Sequence, residues 1–268
     1  MDLDLEDTHV LITGASGGIG IEIARLFLEQ GARVTAQYNN NAGTLSALPQ
    51  EKLRVVQADL SVEDQVQRLF NDGPFGPVGI LVVNHGVSPP DELLVDMSLE
   101  RWQSTIDTNL TASFLVAREY LRKLSSAPDQ VKSKANILFV GSTAGKYGEA
   151  GHADYAASKS AIMYGLTLSL KNEIVKIAPM ARVNTVAPGW VRTPKKMEKL
   201  KDPIFVHRAL ATVPLKKPAE PWDIATQVVC LCSTKISGHI SGQVVLVDGG
   251  MEGRLLNGLS ETQELETL

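Results

Sequence analysis

Short apolar runs rich in β-branched residues alternate with longer amphipathic segments along nearly the whole chain. The runs HVLIT (9–13), RVTAQY (33–38), LRVVQ (53–57), GILVV (79–83), NILFVG (136–141), RVNTVA (182–187) and QVVLVD (243–248) have the length and flanks of buried parallel strands. Between them, IGIEIARLFLEQ (19–30), EDQVQRLFND (63–72) and the stretches 99–124 and 155–177 space their apolar residues as helices do. This alternation predicts right-handed βαβ crossovers and helices on both faces of one sheet. The expected architecture is an α/β, single-domain, Rossmann-type doubly wound parallel sheet of about seven strands over residues 1–252. Residues 253–268 read as a C-terminal tail, and the polar stretch 124–135, LSSAPDQVKSKA, as a surface loop without a chemical role.

Composition narrows the function classes. A chain of 268 residues with 44% hydrophobic content is long enough for one large core. Its formal charge, 26 minus 30, is −4, and the basic residues are scattered apart from a run at Lys195–Lys201. Nucleic acid is therefore not an expected partner. The N-terminus MDLDLEDT is acidic, and no apolar run reaches the length of a bilayer span, so the expected setting is cytoplasmic, away from membranes. Cys230 and Cys232 lie one residue apart in an apolar segment, which suits neither a disulfide framework nor a CxxC pair, and both read as packing residues. The histidines at 9, 85, 152, 207 and 239 are widely separated, so no metal site is expected and the cofactor should be organic.

Ligands of such folds bind beyond the carboxyl ends of the strands. Directly after the first run comes TGASGGIG, with Gly14, Gly18 and Gly20 leading into a helix. Glycine there permits a tight turn and close approach of backbone N–H groups to a pyrophosphate, and a helix N-terminus adds a favourable dipole. The strand-turn-helix setting makes nucleotide binding the expectation over a purely structural turn. The second run ends Gln37-Tyr38-Asn39-Asn40-Asn41, without the carboxylate that would bind the ribose hydroxyls of NAD(H). Neutral amides could receive a 2′-phosphate, so NADP(H) is favoured over NAD(H). Asp59, after the third run, is a candidate for the adenine edge; its alternative is helix capping, a task that Ser61 would carry more naturally.

In ADYAASKSA (153–161), Tyr155 and Lys159 are four residues apart and share one face of a helix. A nearby cation favours phenolate and brings tyrosine toward general acid or base chemistry. Alone, the pair also reads as an ordinary surface tyrosine and lysine.

With these motifs assembled, the chain resembles the short-chain dehydrogenase/reductase family, particularly its branch similar to 3-oxoacyl-carrier-protein reductases. The resemblance runs from about residue 8 to 251 and includes TGASGGIG, Asp59-Leu60, NHG (84–86), Asn109 in DTNL, Ser142 in VGST, YAASK (155–159), PGWVRT (188–193) and SGQVVLVDGGM (241–251). It implies a nicotinamide cofactor and a catalytic tetrad of Asn109, Ser142, Tyr155 and Lys159. Tyr155 would protonate a carbonyl oxygen as hydride arrives, or act as base in reverse. Lys159 would hold the nicotinamide ribose and lower the phenol pKa, Ser142 would stabilise the developing charge, and Asn109 would support a proton path to Lys159 through water. The cofactor site implied by the motifs comprises Gly14, Ser16, Gly18, Ile19, Gly20, Tyr38, Asn39, Asn40, Asp59, Leu60, Asn84, Gly86, Tyr155, Lys159, Pro188, Gly189, Val191 and Thr193.

Departures from the family pattern are also informative. Where the family usually has NNAG, this chain has Val83-Asn84-His85-Gly86. His85, a titratable ring near the cofactor, is expected to point outward and pack against the long helix, with a catalytic role as the alternative. Trp190 and Arg192 flank the turn before the substrate-covering segment, where Arg192 could meet an anionic substrate or cofactor phosphate or be a plain surface arginine. Segment 194–218 has the composition of an amphipathic lid, and Thr143, Ala144, Tyr147, Gly148 and His152 are candidates for the pocket rim. The leading reading is a carbonyl reductase or alcohol dehydrogenase acting on a small-molecule ketone or alcohol. Non-redox cyclisation or isomerisation, and a redox-sensing regulator, remain alternatives. By resemblance, the helices at 99–124 and 155–177 would build a homodimer or homotetramer.

Overall fold

The computed structural model describes residues 2–71, 73–194, 197–198 and 201–251. Seven parallel strands, β1 (His9–Thr13), β2 (Arg33–Tyr38), β3 (Leu53–Gln57), β4 (Ile80–Val83), β5 (Asn136–Val140), β6 (Arg182–Pro188) and β7 (Val244–Val247), form one sheet in the order β3-β2-β1-β4-β5-β6-β7. The strand order reverses beside β1, which pairs with β2 on one edge and β4 on the other. Thr13 lies in register with Val83, so the chain leaves β1 and β4 side by side at the switch point.

Alternation along β1 explains the layers. Val10 and Ile12 pack with Ile23 and Phe27 of α1 (Gly18–Glu29) and, in the same cluster, with residues of a later helix, Ile224 and Val228. Leu11 faces the other way, into a core with Val66 and Leu69 of α2 (Glu63–Asn71). Beyond these come α3 (Leu99–Ile106), α4 (Ala112–Ser125), α5 (Asp129–Lys132), α6 (Ala144–Tyr147), α7 (Ala153–Ser160), α8 (Thr167–Glu173), α9 (Pro203–Leu210), α10 (Pro221–Cys232) and α11 (Thr234–Ser237). Helix α4 contributes Val116 and Tyr120 to the second core, whereas Ile224 and Val228 belong to α10 in the first. Each large side chain so enclosed contributes about 1.5–3 kcal/mol by leaving water.

The two long helices are present but not regular. A π turn at Asp107–Thr111 joins α3 to α4, and another at Ala161–Leu166 joins α7 to α8, which ends in a 3₁₀ turn at Ile174–Lys176. The polar stretch 124–135 is not all loop: Pro128 precedes the single turn of α5. Helix α10 was not anticipated, although Glu220 and Asp223 form a capping box at its start and Pro221 occupies its first turn. It carries both cysteines, and burial pushes the Cys232 thiol up to about 12, in keeping with a packing role. The tail at 253–268 lies outside the described residues.

Candidate active site

At the end of β1 the chain turns through Gly14, whose φ of 60° favours glycine. A Cβ there would lie 2.8 Å from the His85 Cα, and one on Gly20 would overlap the Gly14 carbonyl oxygen. Gly17 precedes α1 without any side-chain cap, and the first turn has no acidic residue. The positive end of α1 is thus left to an anion, and this donor set fits a dinucleotide pyrophosphate. Ser16 and Ile19 are half-buried in the same turn. Gln37 locks the turn from β2: its Oε1 accepts from the Gly14 N–H at 2.8 Å, and its Nε2 donates to the Ala58 carbonyl at 2.7 Å. Sequence reasoning passed over this residue; the signal was a polar side chain inside an apolar strand.

The next strand ends behave differently. Asn39 and Asn40 are exposed, and Tyr38 is half-buried. Asp59 accepts from the Ser61 N–H and hydroxyl at 2.9 and 2.7 Å, so Asp59 rather than Ser61 supplies the acceptor ahead of α2. Leu60 and Val191 are buried apolar side chains, leaving only their backbones to meet a ligand. A Cβ on Gly18 would come within 2.9 Å of Thr193, which brings the turn after β6 onto the glycine turn. Gly189, following Pro188, is held by its N–H on the Val247 carbonyl at 3.0 Å. Asn84 donates to the carbonyls of Thr13 and Gly14 at 3.2 and 2.9 Å, closing the gap between β4 and β1.

The π turn presents Asn109 inward, fully buried, a placement such widened turns often provide at functional sites. Its Oδ1 accepts from the Val87 N–H at 2.8 Å; its Nδ2 donates to the Val87 carbonyl at 3.0 Å and to Ser158 Oγ at 3.1 Å. Ser158 Oγ donates in turn to the Tyr155 carbonyl at 2.7 Å. Lys159, 4% exposed, donates from Nζ to the Val140 carbonyl at 2.8 Å. A Cβ on Gly86 would stand 3.3 Å from both Asn109 Oδ1 and Lys159 Nζ, so these three positions converge. The Tyr155 ring centroid lies 5.9 Å from Lys159 Nζ.

Burial sets the electrostatics. It pulls Lys159 down to about 8, and it raises the Tyr155 phenol, with the Ser142 hydroxyl opposing that rise and Glu149 reinforcing it. Tyr155 is therefore held protonated at neutral pH in the protein alone, and Lys159 is not among the groups that shift it. His85 also departs from expectation. It packs against α4, but inward, with Nδ1 2.8 Å from Thr13 Oγ1 and Nε2 3.4 Å from Ser113 Oγ. Burial, with Lys159 nearby, drives it down to about 3, leaving a neutral imidazole between β1 and α4.

Around the opening, Ala144 and Thr143 are buried, Tyr147 donates to the Met251 carbonyl at 2.7 Å, and Gly148 ends α6 at a φ of 75°. His152 Nε2 lies 3.1 Å from Asp91. Trp190 packs edge-on to Phe205 of α9 at 4.9 Å, joining the turn after β6 to that helix. Arg192 lies 3.1 Å from Glu220, with both side chains about half exposed, which is the surface reading of that arginine. Among the described residues, no group of His, Cys, Asp and Glu could hold a metal, and no helix is long and apolar enough to cross a membrane.

Residues 14–252 match the family model described as enoyl-(acyl carrier protein) reductase. The chain is 34% identical over 256 residues to a 3-oxoacyl-(acyl-carrier-protein) reductase of Vibrio cholerae, covering 93% of this chain and 99% of the relative. It is 34% identical to such a reductase from Mycobacterium tuberculosis, covering 90% and 92%. A solved short-chain dehydrogenase/reductase from Brucella melitensis, titled glucose/ribitol dehydrogenase, superposes with a TM-score of 0.81 at 30% identity, covering 93% of this chain and 98% of that one. Likeness of this extent, on a parallel sheet with a glycine turn at its switch point, defines an oxidoreductase. The chain belongs to the short-chain dehydrogenase/reductase family.

Proposed function

We propose that the protein is an NADP(H)-dependent carbonyl reductase, with residues 1–252 as one cofactor-binding and catalytic unit and Asn109, Ser142, Tyr155 and Lys159 as its catalytic residues. The observation that carries this reading is the buried connection from Asn109 through Ser158 to the Tyr155 backbone carbonyl, which holds the tyrosine's turn in place, with Lys159 anchored on Val140 beside it.

The backbone at Gly14, Ser16, Gly18, Ile19 and Gly20 holds the pyrophosphate. Tyr38, Asn39 and Asn40 receive the 2′-phosphate, and Asp59 and Leu60 border the adenine. Asn84, Gly86, Pro188, Gly189, Val191 and Thr193 flank the nicotinamide. When bound, the cofactor supplies the hydride. Tyr155 Oη gives its proton to the carbonyl oxygen, the state its raised pKa maintains. Ser142 Oγ donates to the same oxygen and stabilises negative charge developing there. Lys159 would hold the ribose hydroxyls and return a proton to the Tyr155 phenolate, taking one in turn from solvent along the water path that Asn109 supports.

The substrate class follows from the relatives' printed names: a 3-oxoacyl thioester is the first ketone to test. The lid supports an apolar chain, since Ile204 and Leu215 are exposed while Val213 packs on Gly249. The protein is proposed to be cytoplasmic and a homodimer or homotetramer. An apolar groove of about 360 Å³ between α4 and α8, lined by Phe114, Leu121, Leu166, Leu170 and Ile177, is the face for a second copy. The test follows absorbance at 340 nm with a 3-oxoacyl thioester and with the matching enoyl thioester, each with NADPH and NADH. Oxidation of NADPH by the ketone supports the reading; oxidation with the enoyl compound alone replaces it with double-bond reduction.

A further inference from the structure

The residue immediately before Tyr155 is a fully buried carboxylate. Asp154 Oδ1 accepts from the Tyr155 N–H at 2.8 Å, and Oδ2 accepts from Thr105 Oγ1 at 2.8 Å and Arg101 Nε at 3.2 Å. Burial pushes this carboxyl upward, but hydrogen bonds from Thr105, Arg101 and the Tyr155 amide outweigh it and keep the group below its ordinary range. An anion so enclosed persists only with such partners. Asp154 lies in the first turn of α7, where its Oδ1 meets a free helix N–H, but that role leaves unexplained its Oδ2, which is held by Thr105 and Arg101 of α3.

Arg101 extends the connection outward. Its Nη1 donates to Glu92 at 2.7 Å and its Nη2 to the Gly151 carbonyl at 3.4 Å. The Glu92 N–H donates to that same carbonyl at 3.0 Å. Segment 88–97 leaves the site at Val87, which Asn109 clamps by both backbone groups. Asp154 thus joins α3 to the first turn of α7, and Arg101, bonded to Asp154, carries the connection on to Glu92 in the loop flanking the site.

We propose that Asp154 is a positioning residue that, through Arg101 and Glu92, ties the orientation of Tyr155 to the placement of segment 88–97. Asp154 does not touch the reacting atoms. The proposal rests on the reading of Tyr155 as general acid, and it adds that substrate-side loop and acid move as one unit.

The test uses Asp154→Asn, Arg101→Met, Glu92→Gln and the double variant Asp154→Asn/Arg101→Met. Each single variant should lower kcat about tenfold with NADPH affinity within about twofold of wild type, since small misplacements of a reacting group cost this much or more. The double variant should lose no more than its worse single, because both act on one connection. Independently of turnover, amide hydrogen exchange across residues 150–158 should rise in Arg101→Met and Glu92→Gln. Unchanged kcat with unchanged exchange overturns the proposal, as does a lower Tm with unchanged kcat, the result of a merely structural bridge. Should Asp154→Asn not fold, Arg101→Met and Glu92→Gln carry the test, since both side chains reach solvent. Full activity in Tyr155→Phe would sink the general-acid reading separately, and the exchange result would still decide the connection.

Discussion

Of the residues proposed for the site, Lys159 and Asn109 at one end are sealed from solvent, whereas Asn39 and Asn40 at the other lie open to it. At the closed end, polar atoms engage partners from β5, the π turn and α7 in a setting where hydrogen bonds are electrostatically strong. At the open end, contacts run locally or between neighbouring strands, such as Gln57 Nε2 on the Asn39 carbonyl at 3.2 Å. On the proposed reading, the proton-transfer residues are thus held in place by the fold, while dinucleotide choice would rest on a few solvated side chains that substitution can change without disturbing a core.

The largest effect is expected at the closed end. Tyr155→Phe should lower kcat at least about a thousandfold while the affinity for NADPH, measured by calorimetric titration, stays within about twofold. Retained turnover would remove the phenol from the mechanism.

Lys159→Met should act on both chemistry and stability, with kcat falling about a hundredfold. The folded pKa of Lys159, about 8, lies below the ordinary 10.5, so the native state binds fewer protons than the unfolded state between these values. The penalty of the buried ammonium is thus fully present below pH 8 and fades as pH rises toward 10.5. Removing the charge should stabilise the protein by about 1–2 kcal/mol at pH 7, after allowing for the Val140 carbonyl left without its donor. Urea midpoints at pH 7 and pH 10 check this; an advantage that grew with pH would contradict the sign.

At the open end, Asn39→Asp should shift the ratio of NADPH to NADH affinity toward NADH by about ten- to a hundredfold, through repulsion of the 2′-phosphate and attraction of ribose hydroxyls. Its Tm should change little, because the side chain is exposed. An unchanged ratio would mean that β2 does not select the cofactor.

The same contrast governs how much was legible in the sequence. The strands announced themselves as β-branched runs because both faces of the sheet are buried, and the glycine turn did so because close backbone packing leaves no room for a side chain. The π turns left no trace in the apolar spacing, since one widened turn in a long helix barely disturbs it. The inward turn of His85 depends on Thr13 and Ser113, 72 and 28 residues away, and the bonds from Thr105 and Arg101 to Asp154 span 49 and 53. Gln37 likewise looked like a neutral strand end until the fold placed it under Gly14. Residue types showed which chemistry was available, and tertiary pairing decided which side chains serve it.

Arg192 is where the smallest effect is expected. In sequence it could equally have met an anionic substrate or lain on the surface; in the fold it lies across Glu220, with exposures of 48% and 55%. An ion pair this solvated contributes about 0–1 kcal/mol, because water and salt screen it and two long side chains lose freedom to form it. Arg192→Ala should therefore leave kcat and the KM for the ketone within about twofold and lower stability by no more than about 0.5 kcal/mol. A tenfold rise in KM for an acidic or phosphorylated substrate, abolished at high salt, would instead show that Arg192 leaves Glu220 to meet the ligand. The open end of the proposed site would then extend to the turn after β6.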